Sequence, residues 1–172
     1  MNTTCNKGSL LDDFDVLDRR INKNTILDWI KANFIDYEGL SISDNPNKDG
    51  LYEVNAKYLR LNSNSKSLTN GMFVWKNVAG DFSCYCGSLT SLKGAPKKVG
   101  RNFYCHYCDS LKTLEGAPEK VGGNFYCHYC ESLISLKGAP EEVRWNFYCR
   151  YCSSLTSHEL PPTTKIKGKI IR

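Results

Sequence analysis

Between residues 79 and 165 the apolar positions follow neither a helical period nor simple alternation; they recur on a long one. Four blocks align in register: AGDFSCYCGSLTSLKGAPKKV from Ala79, GRNFYCHYCDSLKTLEGAPEKV from Gly100, GGNFYCHYCESLISLKGAPEEV from Gly122 and RWNFYCRYCSSLTSHELPPTTK from Arg144. Phe103, Phe125 and Phe147 are spaced by 22 residues, as are Cys108, Cys130 and Cys152, while Phe82 precedes Phe103 by 21 because the first block is one residue short. Fixed periods of this length belong to stacked-coil architectures, in which each repeat buries its apolar face against its neighbours.

Within a block the pattern predicts a short strand with alternate residues inward, Phe125 then Cys127 in the third block. The small thiol of Cys130 then caps a buried corner, and Leu133, Leu136, Ala139 and Val143 line a returning arc. Gly138-Ala139-Pro140 forbids a regular helix there, so extended or 3₁₀ arcs are expected on the convex side. The predicted fold class is a β-rich solenoid with a single parallel sheet on its concave face.

The flanks complete the division into coils. Residues 57–78 read as a degenerate coil with Leu59, Leu61, Leu68 and Val78 inward, followed by coils 79–99, 100–121, 122–143 and 144–165. A closing strand over 166–172 puts Ile170 near the Phe147 position. Residues 1–56 do not repeat and are expected to form a small α/β cap. In it, Asn24-Thr25 caps a helix with Ile26, Trp29, Ile30 and Phe34 on one face, and an earlier helix carries Leu11, Phe14, Leu17 and Ile21. A turn-rich loop from Asp44 and a strand from Leu51 follow.

The blocks fit the template L-x-x-L-x-L-x-x-C-x-x-L, and the chain from about residue 57 to 170 resembles the leucine-rich-repeat superfamily, in the cysteine-bearing, short-arc variety of bacterial surface, gut-bacterial and phage proteins. The resemblance implies a parallel sheet on a concave face and a non-catalytic module that docks a protein partner there. Its phage and mobile-element members imply a host-directed binder or inhibitor.

Composition narrows the function classes. The chain has 172 residues, 41% hydrophobic and 24% charged, with no apolar run approaching a membrane span. Its net charge of +5 is concentrated in Lys167, Lys169 and Arg172, too thin for the basic stripe of a nucleic-acid binder. The first twenty residues lack the basic and apolar regions of a secretory signal, so a reducing cytoplasmic setting is expected and the nine cysteines are read as thiols or metal ligands.

Three Cys-x-x-Cys pairs, Cys105/Cys108, Cys127/Cys130 and Cys149/Cys152, have the spacing of zinc sites. A zinc ribbon does not require Phe, Leu and Gly-Ala-Pro to recur with them, whereas a solenoid does; Cys84-x-Cys86 also breaks the spacing. Buried thiols are therefore favoured over structural zinc, and no metal or cofactor is expected. Cys105-His106 and Cys127-His128 are strand neighbours facing opposite sides, which makes them poor nucleophile–base dyads. No phosphate loop or catalytic carboxylate pair appears, so no enzyme is assigned.

The outward strand residues remain. They are Tyr85; Asn102, Tyr104, His106 and Tyr107; Asn124, Tyr126, His128 and Tyr129; and Trp145, Asn146, Tyr148, Arg150 and Tyr151. Rows of Tyr, His and Arg are the composition of recognition surfaces, although Tyr and His also suit a strand surface that stacks on its own copies. The Asn residues are expected to form a ladder between coils. A protein partner is the first expectation for this face, with a nucleotide or nucleic acid stacked on Tyr as the alternative. The chain itself is expected as a monomer or weak homo-oligomer.

Overall fold

Helix α1 (Lys23–Asn33) opens the part of the chain that the computed structural model describes, residues 21–172. Leu11, Phe14 and Leu17 of the expected earlier helix, and Cys5, lie outside the described residues. The α1 cap is Asn22 rather than Asn24-Thr25: the Asn22 side chain accepts the Asn24 and Thr25 N–H groups, and Thr25 Oγ1 accepts the Asn22 N–H in return. Ile26 and Ile30 are buried as expected, while Phe34 leaves the helix and begins β1 (Phe34–Glu38).

Two antiparallel additions come from the cap. Strand β1 pairs with β4 (Tyr58–Leu61), and β2 (Ser41–Ile42) pairs with β3 (Tyr52–Ala56). β3 runs parallel to β5 (Phe73–Val78), so the stretch before residue 57 already supplies a solenoid strand.

From β4 onward each coil carries two strands, most of them two residues long. The first of each pair, β6 (Phe82–Ser83), β8 (Phe103–Tyr104), β10 (Phe125–Tyr126) and β12 (Phe147–Tyr148), stacks in parallel register and ends on β14 (Ile170–Ile171). The second, β7 (Lys98–Val99), β9 (Lys120–Val121), β11 (Glu142–Val143) and β13 (Lys165–Ile166), forms another parallel stack with β5 and β3. The solenoid is confirmed, with its 22-residue period. The single sheet is corrected to two seven-stranded sheets. The arcs are extended enough for Val99, Val121 and Val143 to pair with one another, so their freed backbone groups are satisfied between coils.

The Gly-Ala-Pro turn has a sharper role than breaking a helix. Gly94, Gly116 and Gly138 stand at φ 91°, 90° and 83°, and a Cβ on Gly116 would lie 2.4 Å from the Lys93 nitrogen of the previous coil. Only glycine meets both demands.

The core lies between the sheets. Leu59, Leu61, Leu68 and Val78 are buried as the degenerate register required, and Leu133, Leu136 and Val143 are fully buried. Phe82, Phe103, Phe125 and Phe147 form an interior stack with centroids 5.3, 5.2 and 5.0 Å apart and planes within 9° of parallel. Phe34 closes that stack edge-on at 6.4 Å. Ile170 takes the next register position but is 39% exposed.

Candidate binding face

The residues that follow the inward Phe in each coil point to the opposite side of the first sheet, and the 22-residue period sets every copy above the last. Three aromatic columns result. Tyr104, Tyr126 and Tyr148 stack at 4.8 and 4.6 Å; His106 and His128 at 4.8 Å; Tyr107, Tyr129 and Tyr151 at 4.8 and 4.7 Å. Neighbouring columns meet edge to face, with Tyr126 to His128 at 5.8 Å and His128 to Tyr129 at 5.3 Å. Stacked along the solenoid and edge-on across it, the rings form one continuous aromatic plate. Arg150 continues the His column and lies 5.6 Å over the Tyr151 ring.

The expected outward residues divide by exposure. Tyr85, Tyr107, Tyr129, Tyr151, Arg150 and Trp145 are exposed; Tyr104, His106, Tyr126, His128 and Tyr148 are half-buried by their own stack. The asparagines serve the coil-to-coil ladder. Asn102 Oδ1 accepts the Asn124 N–H at 2.9 Å, Asn124 Oδ1 the Asn146 N–H at 2.9 Å, and Asn146 Oδ1 the Lys169 N–H at 2.8 Å. Asn124 is buried, so little of it is left to meet a ligand.

The outer tyrosine column has an unusual backbone. Tyr107, Tyr129 and Tyr151 sit at φ 54°, 55° and 58°, in the left-handed region, and among the described residues they are the non-glycine residues with positive φ. Tyrosine carries a penalty there of about 1–2 kcal/mol. Glycine serves at Gly94, Gly116 and Gly138; here the chain keeps a ring instead.

Burial sets the protonation states. Desolvation, reinforced by the neighbouring His128, pushes His106 down to about 4, and desolvation with Arg150 nearby lowers His128. Both imidazoles are neutral near pH 7. Burial raises the Tyr104 and Tyr126 phenols, which stay protonated.

The cysteines are core groups. In each Cys-x-x-Cys pair the second thiol reaches back to the previous coil: Cys108 Sγ donates to the Cys84 carbonyl at 3.2 Å, Cys130 Sγ to Cys105 at 3.1 Å and Cys152 Sγ to Cys127 at 3.2 Å. The zinc-like spacing is thus what a strand thiol followed by a corner thiol requires. All eight described cysteines are free thiols, and among the described residues no three His, Cys, Asp or Glu side chains converge to hold a metal. Burial raises the Cys84, Cys105 and Cys127 thiols well above the ordinary value and Cys149 to about 11, which suppresses their thiolates; the corner thiols differ, hydrogen bonding from the neighbouring thiol lowering Cys108 and, at the open end of the solenoid, Cys152 to about 7.

A cleft opens at the first-coil end of the plate. Tyr58, Arg60, Asp81, Ser83, Tyr85 and Tyr104 line a depression of about 470 Å³ at the start of the regular coils. The repeat pattern pointed to Tyr85 and Tyr104 but missed Tyr58, Arg60, Asp81 and Ser83, because they stand where the blocks depart from consensus. Writing the short first block under its successors is the signal that finds two of them: Asp81 falls under Asn102, and Ser83 under Tyr104.

The chain matches no family model, no curated protein and no solved structure.

Proposed function

We propose that the protein is a non-catalytic binding module that presents the aromatic plate of its first sheet to a protein partner. The observation that carries this reading is the outer tyrosine column, exposed and held in a left-handed backbone that glycine would adopt without steric penalty. Rigid aromatics with few rotatable bonds give a partner large contact area at low entropic cost, and Arg150 adds the cation common at interface centres. The resemblance to leucine-rich repeats points the same way, as analogy of architecture alone.

A nucleotide is disfavoured by charge. The two stacked imidazoles at the centre of the plate are neutral, which leaves Arg150 at one end and Arg60, with Asp81 in the same cleft, at the other.

The test is capture from a lysate of a bacterial host on immobilised protein, wild type against the Tyr126→Ala/Tyr148→Ala double variant, with the retained protein then purified and its Kd measured at low and high salt. The expected result is a discrete partner whose affinity falls about tenfold or more in the folded double variant and changes little with salt. A partner retained equally by both proteins overturns the reading, and a steep salt dependence with nucleic acid in the eluate returns the nucleotide alternative.

A further inference from the structure

The tyrosine column that runs Tyr148, Tyr126, Tyr104 stops one rung early. Strand register puts Ser83 directly beside Tyr104, and Arg60 directly beside Ser83. Tyr104 stacks on Tyr126 through one face; beside its other face stands a serine instead of a ring. Strands in a sheet are about 4.8 Å apart, so the strands of Arg60 and Tyr104 stand roughly 9–10 Å apart across a small side chain, and one ring in contact on both sides needs about 7–8 Å. The residue that the short block lacks falls between Cys84 and Cys86. Tyr85 alone stands where later coils carry His and Tyr, and it meets His106 tilted and Tyr107 edge-on rather than extending either stack.

We propose that this gap is a receiving slot for one aromatic side chain of a protein partner, an indole or a phenol, inserted as the missing rung between Tyr104 and the Arg60 guanidinium. The inference rests on the protein-binding reading and names where and by what chemistry the partner is anchored.

The slot's chemistry selects this occupant. Tyr104 offers a ring face for stacking, and a guanidinium on the other side favours an aromatic face, indole most of all. Asp81 stands at the rim in place of the ladder asparagine; its Oδ1 accepts the Asn102 N–H at 2.8 Å, and a carboxylate has further acceptor capacity for an indole N–H or phenol O–H. An aliphatic side chain offers no ring face to the guanidinium and no N–H or O–H to the remaining acceptor capacity of Asp81. Phosphate-bearing ligands meet the wrong charge: Asp36, paired in register with Arg60, and Asp81 both act on the Tyr58 hydroxyl, so two carboxylates flank one guanidinium at the mouth.

The experiment titrates the full chain, labelled for amide chemical shifts, with N-acetyl-tryptophanamide, N-acetyl-leucinamide and adenosine as probes. Wild type is compared with Ser83→Tyr, which supplies the rung internally, and with Ser83→Thr, which leaves the gap open. The tryptophan amide is expected to bind in the millimolar range, as one side chain's contact supports, with ring-current shifts centred on Ser83 and Tyr104. The leucine amide and adenosine are expected to bind about tenfold or more weakly. Ser83→Tyr should fold, since Tyr104, Tyr126 and Tyr148 hold that register position in the next three coils, and should lose the tryptophan shifts; Ser83→Thr should keep them. Equal binding of leucine amide, tighter binding of adenosine, tryptophan shifts unchanged in Ser83→Tyr, or failure of Ser83→Tyr to fold each overturns the slot. Repeating the capture with Ser83→Tyr separates this inference from its premise. If the partner is lost from Tyr126→Ala/Tyr148→Ala but retained in full by Ser83→Tyr, the slot fails and the binding face stands; loss from both supports the slot.

Discussion

Phe125 and Tyr126 are adjacent residues of one two-residue strand, and each belongs to a column of stacked rings. Inside, Phe103, Phe125 and Phe147 stack at 5.2 and 5.0 Å; outside, Tyr104, Tyr126 and Tyr148 stack at 4.8 and 4.6 Å. The phenylalanines are fully buried and the tyrosines only half so. Equal spacing is imposed by the strand separation and reveals nothing about stability. Burial distinguishes the columns: the inner one removes its whole apolar area from water, while the outer one shields only the faces its copies cover. The fold thus depends on the inner column, and the outer one is left available for a partner.

The sharpest way to break this comparison is to truncate both neighbours. Phe125→Ala should cost about 3–5 kcal/mol, the range for a buried aromatic whose site cannot collapse. Tyr126→Ala should cost about 1 kcal/mol, the value of ring pairing beyond area burial. Urea denaturation of both variants gives the two numbers. Similar losses would mean that the outer column is a structural element in its own right, and the binding reading would lose its footing.

Legibility in the sequence follows the same division. The inner column could be read because period, residue type and burial coincide: Phe, Cys and Leu recur at fixed offsets, and every one of those offsets in coils 100–121 and 122–143 is buried. The second sheet could not be read, since Lys98-Val99, Lys120-Val121 and Glu142-Val143 are too short to alternate and resemble any polar–apolar step in an arc. The outward tyrosines were legible as a face but not as two kinds of position. Tyr126 is on a regular strand, whereas Tyr129 is left-handed, and tyrosine gives no sequence signal for that conformation. The cleft was hidden for the opposite reason. Its residues are those that break the repeat, and departures read as noise until the strand register shows Arg60, Ser83 and Tyr104 side by side.

Acid sharpens the comparison without touching the inner column. His106 and His128 are stacked on the outer plate and their folded-state values are lowered, His106 to about 4, by desolvation first and by neighbouring charge second. A base with a lowered folded value binds protons more readily when unfolded, so its contribution is fully present above its ordinary value near 6.5 and is lost as pH falls from there toward about 4. The groups facing the pair are the phenols of Tyr85, Tyr104, Tyr107, Tyr126 and Tyr129 together with Arg150. Both rings keep solvent contact, which screens the effect to less than the cost of the core truncation. Wild type should lose stability between pH 6.5 and 4 more steeply than the His106→Asn/His128→Asn variant. Superimposable stability profiles would show that the imidazoles protonate freely on the plate, and their neutrality could no longer argue against a phosphate-bearing ligand.

The smallest expected effect concerns the outer edge of the plate, at Tyr129. Its φ of 55° is unfavourable for tyrosine, and its ring stacks on Tyr107 at 4.8 Å and on Tyr151 at 4.7 Å. Tyr129→Ala keeps the left-handed penalty and loses the stack, so it should cost about 1 kcal/mol. Tyr129→Gly loses the same ring but releases about 1–2 kcal/mol of backbone penalty, against which stands about 0.5–1 kcal/mol of extra unfolded-state entropy. Glycine should therefore be more stable than alanine by up to about 1.5 kcal/mol and lie near wild type. Both substitutions should weaken the partner equally, because both remove the exposed ring. A glycine variant less stable than alanine would mean that the left-handed turn imposes no penalty on this chain, and the outer column would then lose its claim to be retained for something other than the fold.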